Sequence, residues 1–142
     1  MKMYCIVSRE AIKAMNGNRG KLAAQAGHAY LHAYWDAEKR SGCRPEFDTP
    51  IPQKEMSEDN KFLYAVDAYK YGGNAKKVCL VVDTTDELRA LESAYRPVCG
   101  VSLVTDAGLT CFDGVPTTTC LGIGPIRDED VGEDLKCLKV FI

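Results

Sequence analysis

The sequence predicts an α/β protein, a three-layer α/β/α sandwich built on a mixed, mainly parallel sheet of four to five strands. Three observations carry this expectation. Short apolar runs at 4–8, 77–83, 98–105 and 118–123 have the length and residue types of strands. Two longer stretches, 19–40 and 61–71, are free of breakers and suited to helix. The order strand, helix, strand over 77–105 is a parallel crossover unit, which places helices on the faces of a sheet. A chain of 142 residues forms one domain and can bury a core without disulfides or metal.

Tyr4 to Ser8 reads as the first strand, and the start is too short and too soon polar for a signal peptide. The turn formers from Met15 to Gly20 follow, with Asn18 as an N-cap. The helix from Arg19 to Arg40 meets no breaker before Gly42. At about 100° per residue, Lys21, Gln25, His28 and His32 share one stripe, while Leu22, Ala26, Ala29 and Ala33 form an apolar stripe beside it. The alanines permit close approach to a sheet. Lys21 and Gln25 lie in the first turns, where backbone N–H groups favour anions.

Residues 41–61, with Pro45, Pro50 and Pro52, read as a surface loop. Lys61 to Tyr71 is a second helix with Phe62, Val66 and Tyr69 on one side, ended by Gly72-Gly73. Lys77 to Asp83 is a strand buried on both faces. Thr84 or Thr85 caps a helix that runs to Tyr95, with Glu87 placed for a capping box and Pro97 as the stop. Strands at 98–105 and about 118–123 follow. Asp128 to Asp130 starts a short helical turn, and Leu135 to Ile142 forms a last strand or a packed tail.

Net charge is −2, but residues 1–44 hold eight basic and three acidic side chains, and the remainder ten and seventeen. A basic face on an acidic protein is one reading of this asymmetry; charges solvated at random is the other. The seven cysteines are an odd set without a C-x-x-C pair, so they read as structural thiols in a reducing, cytoplasmic compartment, with no metal expected. No apolar run is long enough to span a bilayer, so no membrane partner is expected.

The chemistry concentrates between Val104 and Pro125, a polar loop between two strands. Asp106-Ala107-Gly108 reads as a simple turn or as a carboxylate presented at the carboxyl end of a strand, where α/β sheets place ligands. A half-buried carboxylate there needs a cation, and Lys21 is the candidate. Thr110 and Thr119 offer hydroxyls to a water or substrate, although threonine also serves simply as strand filler. His28 is either a structural histidine or a base. Gly122-Ile123-Gly124 lacks the third glycine of a dinucleotide fingerprint; these glycines let the backbone turn or approach another segment closely.

Three stretches resemble one family in order. Gly20-Lys21-Leu22-Ala23-Ala24-Gln25-Ala26-Gly27-His28-Ala29 is similar to the G-K-x-A-A-Q-x-x-H-A opening of type-2 peptidyl-tRNA hydrolases. Asp106-Ala107-Gly108-Leu109-Thr110 resembles that family's D-A-G-[RK]-T, and Thr119 to Pro125 its T-x-L-G-I-G-P. The resemblance covers about 3–35 and 77–142, leaving an insertion at about 36–76 within the single domain 1–142. It implies a cofactor-independent hydrolase of the ester joining peptide to tRNA, often dimeric. It carries the family's site residues onto Lys21, Gln25, His28, Asp106, Thr110 and Thr119, with Lys21, Asp106, Thr110, Thr119 and His28 expected to be catalytic and Gln25 to contact substrate; Arg19, Gly20 and Gly108 are further candidate substrate contacts. Leu109 stands where the pattern has Arg or Lys, which removes a phosphate contact. An inactive module binding tRNA or a protein on the same fold, and a hydrolase of another ester or amide, are the rival readings.

Overall fold

The computed structural model describes residues 1–42, 61–72, 75–108 and 114–141. Thr110, Leu109 and all of 43–60, where a surface loop is expected, lie outside the described residues. Five strands form one sheet: β1 (Lys2–Ser8), β2 (Lys76–Val82), β3 (Val101–Asp106), β4 (Thr117–Ile126) and β5 (Lys139–Val140), in the order β3-β4-β1-β2-β5.

The mixed α/β sheet flanked by helices is as expected, but its strand directions need a correction. Of the hydrogen-bonded neighbours, β1 and β2 run parallel, whereas β1–β4, β3–β4 and β2–β5 are antiparallel. The expected crossover is present in direction, since β1, β2 and β3 all point the same way. What the apolar runs do not reveal is that β4 returns from β3 through a short connection and inserts between β3 and β1. A strand that returns through a short loop runs antiparallel to the one it leaves. β4 is buried on both faces from Thr119 to Ile126, so its sequence reads like a parallel strand.

Among the described residues five helices flank the sheet: α1 (Arg9–Ala14), α2 (Arg19–Ser41), α3 (Lys61–Tyr71), α4 (Thr85–Tyr95) and α5 (Glu133–Lys136). α1 was not expected. It starts where Ser8, still extended at the end of β1, accepts a 3.1 Å hydrogen bond from the Ala11 amide. The Asn18 cap of α2 and the Thr84–Glu87 capping box of α4 form as read from sequence, and Gly42 closes α2 in the left-handed conformation. A 3-10 turn occupies Asp128–Asp130.

Strand alternation divides the core. Tyr4, Ile6, Leu121 and Ile123 face α4 together with Leu88, Leu91 and Tyr95. Cys5, Val7, Val104 and Cys120 face the other way, onto Ala29 of α2. On that side two glycines set the distance between helix and sheet. A Cβ at Gly122 would stand 1.9 Å from the Ala29 carbonyl oxygen, and one at Gly100 would stand 2.2 Å from that of Ala33. The glycines therefore serve close backbone approach, one of the two roles expected for Gly122. Cys99 and Cys5 are core thiols. Burial pushes Cys99 up to about 12, and the neighbouring thiols of Cys120 and Cys79 hold Cys5 well above the usual thiol range. Among the described residues no helix is long and apolar enough to cross a membrane.

Candidate active site

The site forms where the amino-terminal turns of α2 pass the carboxyl end of β3. Alternation along β3 fixes which residue enters it. Val104 faces α2, so Asp106, two residues on, faces the same way. The helix supplies the partner. Asn18 accepts from the Lys21 amide at 3.0 Å and so fixes the start and phase of α2. From there Lys21 reaches Asp106, with Nζ 2.6 Å from Oδ2. The two side chains are only 17% and 12% exposed, so little water screens the pair.

Every oxygen of that carboxylate is engaged. Oδ2 also accepts from Gln25 Nε2 at 3.0 Å, and Oδ1 accepts from the Gly108 amide at 2.8 Å. Gly108 holds this position with φ of +81°, and a Cβ on it would meet the Val115 carbonyl oxygen at 2.4 Å. The turn contact read at Asp106-Ala107-Gly108 is formed, and that same hydrogen bond anchors the carboxylate beside Lys21. The Lys21 ammonium foremost, and then the Gly108 amide, hold the Asp106 carboxyl below the usual carboxylate range against the opposing effect of burial.

Gln25 is buried and hydrogen-bonded at both ends of its amide. Its Oε1 accepts from Thr119 Oγ1 at 2.7 Å while its Nε2 donates to Asp106. Thr119 reaches Gln25 because β4 carries an irregularity opposite Val104 and Thr105, which pair with Cys120 and Thr118 and leave Thr119 as the extra residue. Such a bulge re-aims a side chain. Thr119 and Cys120, though adjacent, therefore both turn toward α2, where Cys120 Sγ lies 3.4 Å from the Gln25 carbonyl oxygen. Thr119 is fully buried behind the cleft wall, against Gln25 and the Val104 carbonyl.

A cleft of about 490 Å³ opens beside this network, lined by Gln25, His28, His32, Leu103, Val104, Thr105, Asp106 and Ala107. The structure thus brings together Lys21, Gln25, His28, Asp106, Gly108 and Thr119. It does not bring Arg19, which is exposed and lines a separate apolar hollow with Ile12, Met15 and Leu22. Gly20 is exposed in the first turn of α2, and Thr110 lies outside the described residues. Sequence reasoning missed the bulge at Thr119. No residue type marks a bulge in Thr117-Thr118-Thr119. Among the described residues no group of three or more His, Cys, Asp or Glu is placed to hold a metal ion.

A lysine–carboxylate pair, drawn from a helix start and a strand end and set at the wall of an open cleft, defines the class: an α/β protein with a charged polar site suited to polarising a carbonyl or holding an anion. The chain belongs to the peptidyl-tRNA hydrolase PTH2 family, whose pattern it matches over residues 1–141. It is 38% identical over 115 residues to the peptidyl-tRNA hydrolase of Methanopyrus kandleri, covering 80% of this chain and 78% of that protein. It is 33% identical over 143 residues to that of Methanothermobacter thermautotrophicus, covering 97% and 100%. With that of Halobacterium salinarum it shares 32% identity over 124 residues, covering 87% and 88%.

Proposed function

We propose that this protein hydrolyses the ester joining peptide to tRNA in peptidyl-tRNA, and that Lys21, Asp106, Gln25 and Thr119 form the working core of its site. The observation that carries the site assignment is the 2.6 Å pair of Lys21 and Asp106 beside the cleft. Ester hydrolysis builds negative charge on the carbonyl oxygen, and a fixed positive charge in a shielded site stabilises it. Lys21 supplies that charge, to the oxyanion or to the adjoining phosphate.

Asp106 is the wrong group to take the proton from water at neutral pH. A general base works best with a pKa near the working pH, and Asp106 is held below even the usual carboxylate range. Its role is to keep Lys21 charged and aimed. Gln25 and Thr119 act one step further back: Thr119 fixes the orientation of the Gln25 amide, and that amide fixes Asp106. Thr119 is then a positioning residue. His28, at the cleft wall, is the side chain suited to carry a proton. Thr110 joins the site on the strength of the family motif alone; Arg19 and Gly20, exposed at the start of α2, are kept as substrate contacts outside the cleft. Gly108 contributes through its amide.

Three further parts of the reading rest on the same footing. The chain is one domain with an inserted segment at about 36–76. It acts as a homodimer, which sedimentation equilibrium tests. It resides in the cytoplasm, in keeping with the five described cysteines, all unpaired.

The test is turnover of an N-acetylated aminoacyl-tRNA by the wild type, Lys21→Ala and Asp106→Ala. Turnover by the wild type and loss in both variants is the expected result. Undiminished turnover in both variants would overturn the site. Binding of the tRNA without turnover by the wild type would make the protein a binding module instead.

A further inference from the structure

The stripe of α2 that carries Lys21, Gln25, His28 and His32 continues past the cleft. Trp35 and Lys39 extend it at spacings of three and four residues. From Lys21 to Lys39 it covers about 27 Å at 1.5 Å per residue. His32 stacks on Trp35, with ring centroids 5.4 Å apart and planes 19° from parallel, and His28 stands 5.5 Å from His32 on the other side. Trp35 is 53% exposed and is the chain's single tryptophan.

This row of rings is not core packing: His28, His32 and Trp35 are exposed on the outside of α2, with exposed Lys39 beyond Trp35 and Lys21, paired with Asp106, at the cleft end. No stripe position carries a carboxylate; Asp36, on the flank, is engaged by Arg40 and by the Val101 amide. An exposed ring held flat by a second ring is preorganised to stack on a third. Nucleic-acid bases are flat and each offers a π-face, and the flanking lysines suit the phosphates between them. Leu31, 45% exposed one turn before Trp35, gives the row an apolar edge, but the rings run on to exposed Lys39 rather than to a continuous apolar patch.

We propose that the His32–Trp35 ledge is a stacking site for the unpaired 3′ end of tRNA, which it guides along α2 into the cleft. The proposal rests on the reading of the chain as a peptidyl-tRNA hydrolase. The terminal ribose and its ester lie at Lys21 and Asp106, and the preceding bases lie on the rings toward Lys39. The ledge thereby extends substrate recognition away from the bond that breaks.

Two measurements test it. Trp35 reports on itself: titration with a short RNA ending in an unpaired CCA is expected to quench its fluorescence saturably. In steady-state kinetics, Trp35→Ala is expected to raise KM for peptidyl-tRNA roughly ten-fold, with kcat held within about two-fold and with recovery in Trp35→Phe. The loss should shrink when the substrate is cut down to an N-acylaminoacyl-adenosine, which has no further base to stack. Peptidyl-tRNA turnover by the wild type with neither quenching nor a change of KM in Trp35→Ala would overturn the ledge. So would sedimentation and a blue-shifted Trp35 emission showing that a second copy covers it. Failure of the wild type to hydrolyse peptidyl-tRNA would instead sink the functional reading, while quenching by the RNA would still support the ledge.

Discussion

Charged side chains tie both ends of α2 to both ends of β3. At one end Lys21 on the helix meets Asp106 at the close of the strand. At the other, Asp36 and Arg40 on the helix bracket the start of the strand: Asp36 Oδ2 accepts from Arg40 at 2.7 Å and from the Val101 amide at 2.9 Å. Arg40 in turn donates to the carbonyls of Arg96 and Cys99 and lies 4.3 Å over the Phe62 ring. The chemistry of the two pairs is alike; their surroundings are not. The Arg40 end is knitted to backbone groups and to an aromatic ring of α3. The Asp106 end borders an open cleft, and its supports are a glutamine, a threonine and the amide of Gly108 in its own turn. A pair committed to backbone groups holds elements in place. A pair committed to side chains at a cleft keeps a charge available for work.

The largest effect should expose that division. Lys21→Ala is expected to lower kcat by about 100- to 1,000-fold, the scale of losing one stabilising group at a developing oxyanion. It should also lower the thermal midpoint, since Asp106 keeps only its Gln25 and Gly108 donors, so the loss of kcat is read per folded molecule. Arg40→Ala should act on stability alone. Removing hydrogen bonds to two backbone carbonyls and stranding Asp36 costs about 2 kcal/mol, or a drop of roughly 6 °C in Tm. Turnover per folded molecule should hold near wild type. Calorimetry and peptidyl-tRNA kinetics on both variants check the pair of statements; a large loss of kcat in folded Arg40→Ala would dissolve the distinction.

The two ends also differ in how legible they are in the sequence. The Lys21–Asp106 pair follows from reasoning with few steps: Asn18 sets the helix phase, a strand end presents an acid, and a half-buried carboxylate needs a cation. The Arg40 end has no such signature, because its acceptors are carbonyls of Arg96 and Cys99 and any residue supplies a carbonyl. Within the active end the limit is geometric. A family motif names Thr119, but its route to Asp106 through Gln25 depends on the bulge in β4, and periodicity assumes a regular strand. The same assumption hides the strand directions. A run buried on both faces reads as parallel, whereas β4 is antiparallel and lies between β1 and β3. Trp35 was legible in principle, at the next stripe position after His32, yet one aromatic residue on a helix gives no sign of being exposed.

Thr119→Val sharpens the comparison within the active end. The substitution keeps shape and removes the hydroxyl, so Gln25 Oε1 loses its 2.7 Å donor. The amide is then free to turn, and Asp106 loses a fixed neighbour. A fall in kcat of about ten-fold with KM nearly constant is expected, which corresponds to about 1.4 kcal/mol of transition-state stabilisation. A KM effect without a kcat effect would mean that Thr119 contributes to binding alone.

The smallest effect concerns acid. Asp106 is held below the usual carboxylate range, chiefly by its hydrogen bond to Lys21. For a carboxylate whose folded value is depressed, the linked stability is fully present above the unfolded value of about 3.9 and is lost as pH falls through the folded value. The Asp106 contribution therefore operates at neutral pH and fades only below about pH 4. Asp106→Asn removes that titration, so its Tm should fall less steeply than that of the wild type as pH is lowered from about 4 to 2. Some acid sensitivity must survive, because Asp128, lowered chiefly by its hydrogen bond to Lys2, loses its contribution in the same direction at a site remote from the cleft. Thermal melts of wild type, Asp106→Asn and Asp128→Asn over that range separate the two carboxylates. Equal slopes in wild type and Asp106→Asn would show that the Lys21–Asp106 pair is not coupled to folding.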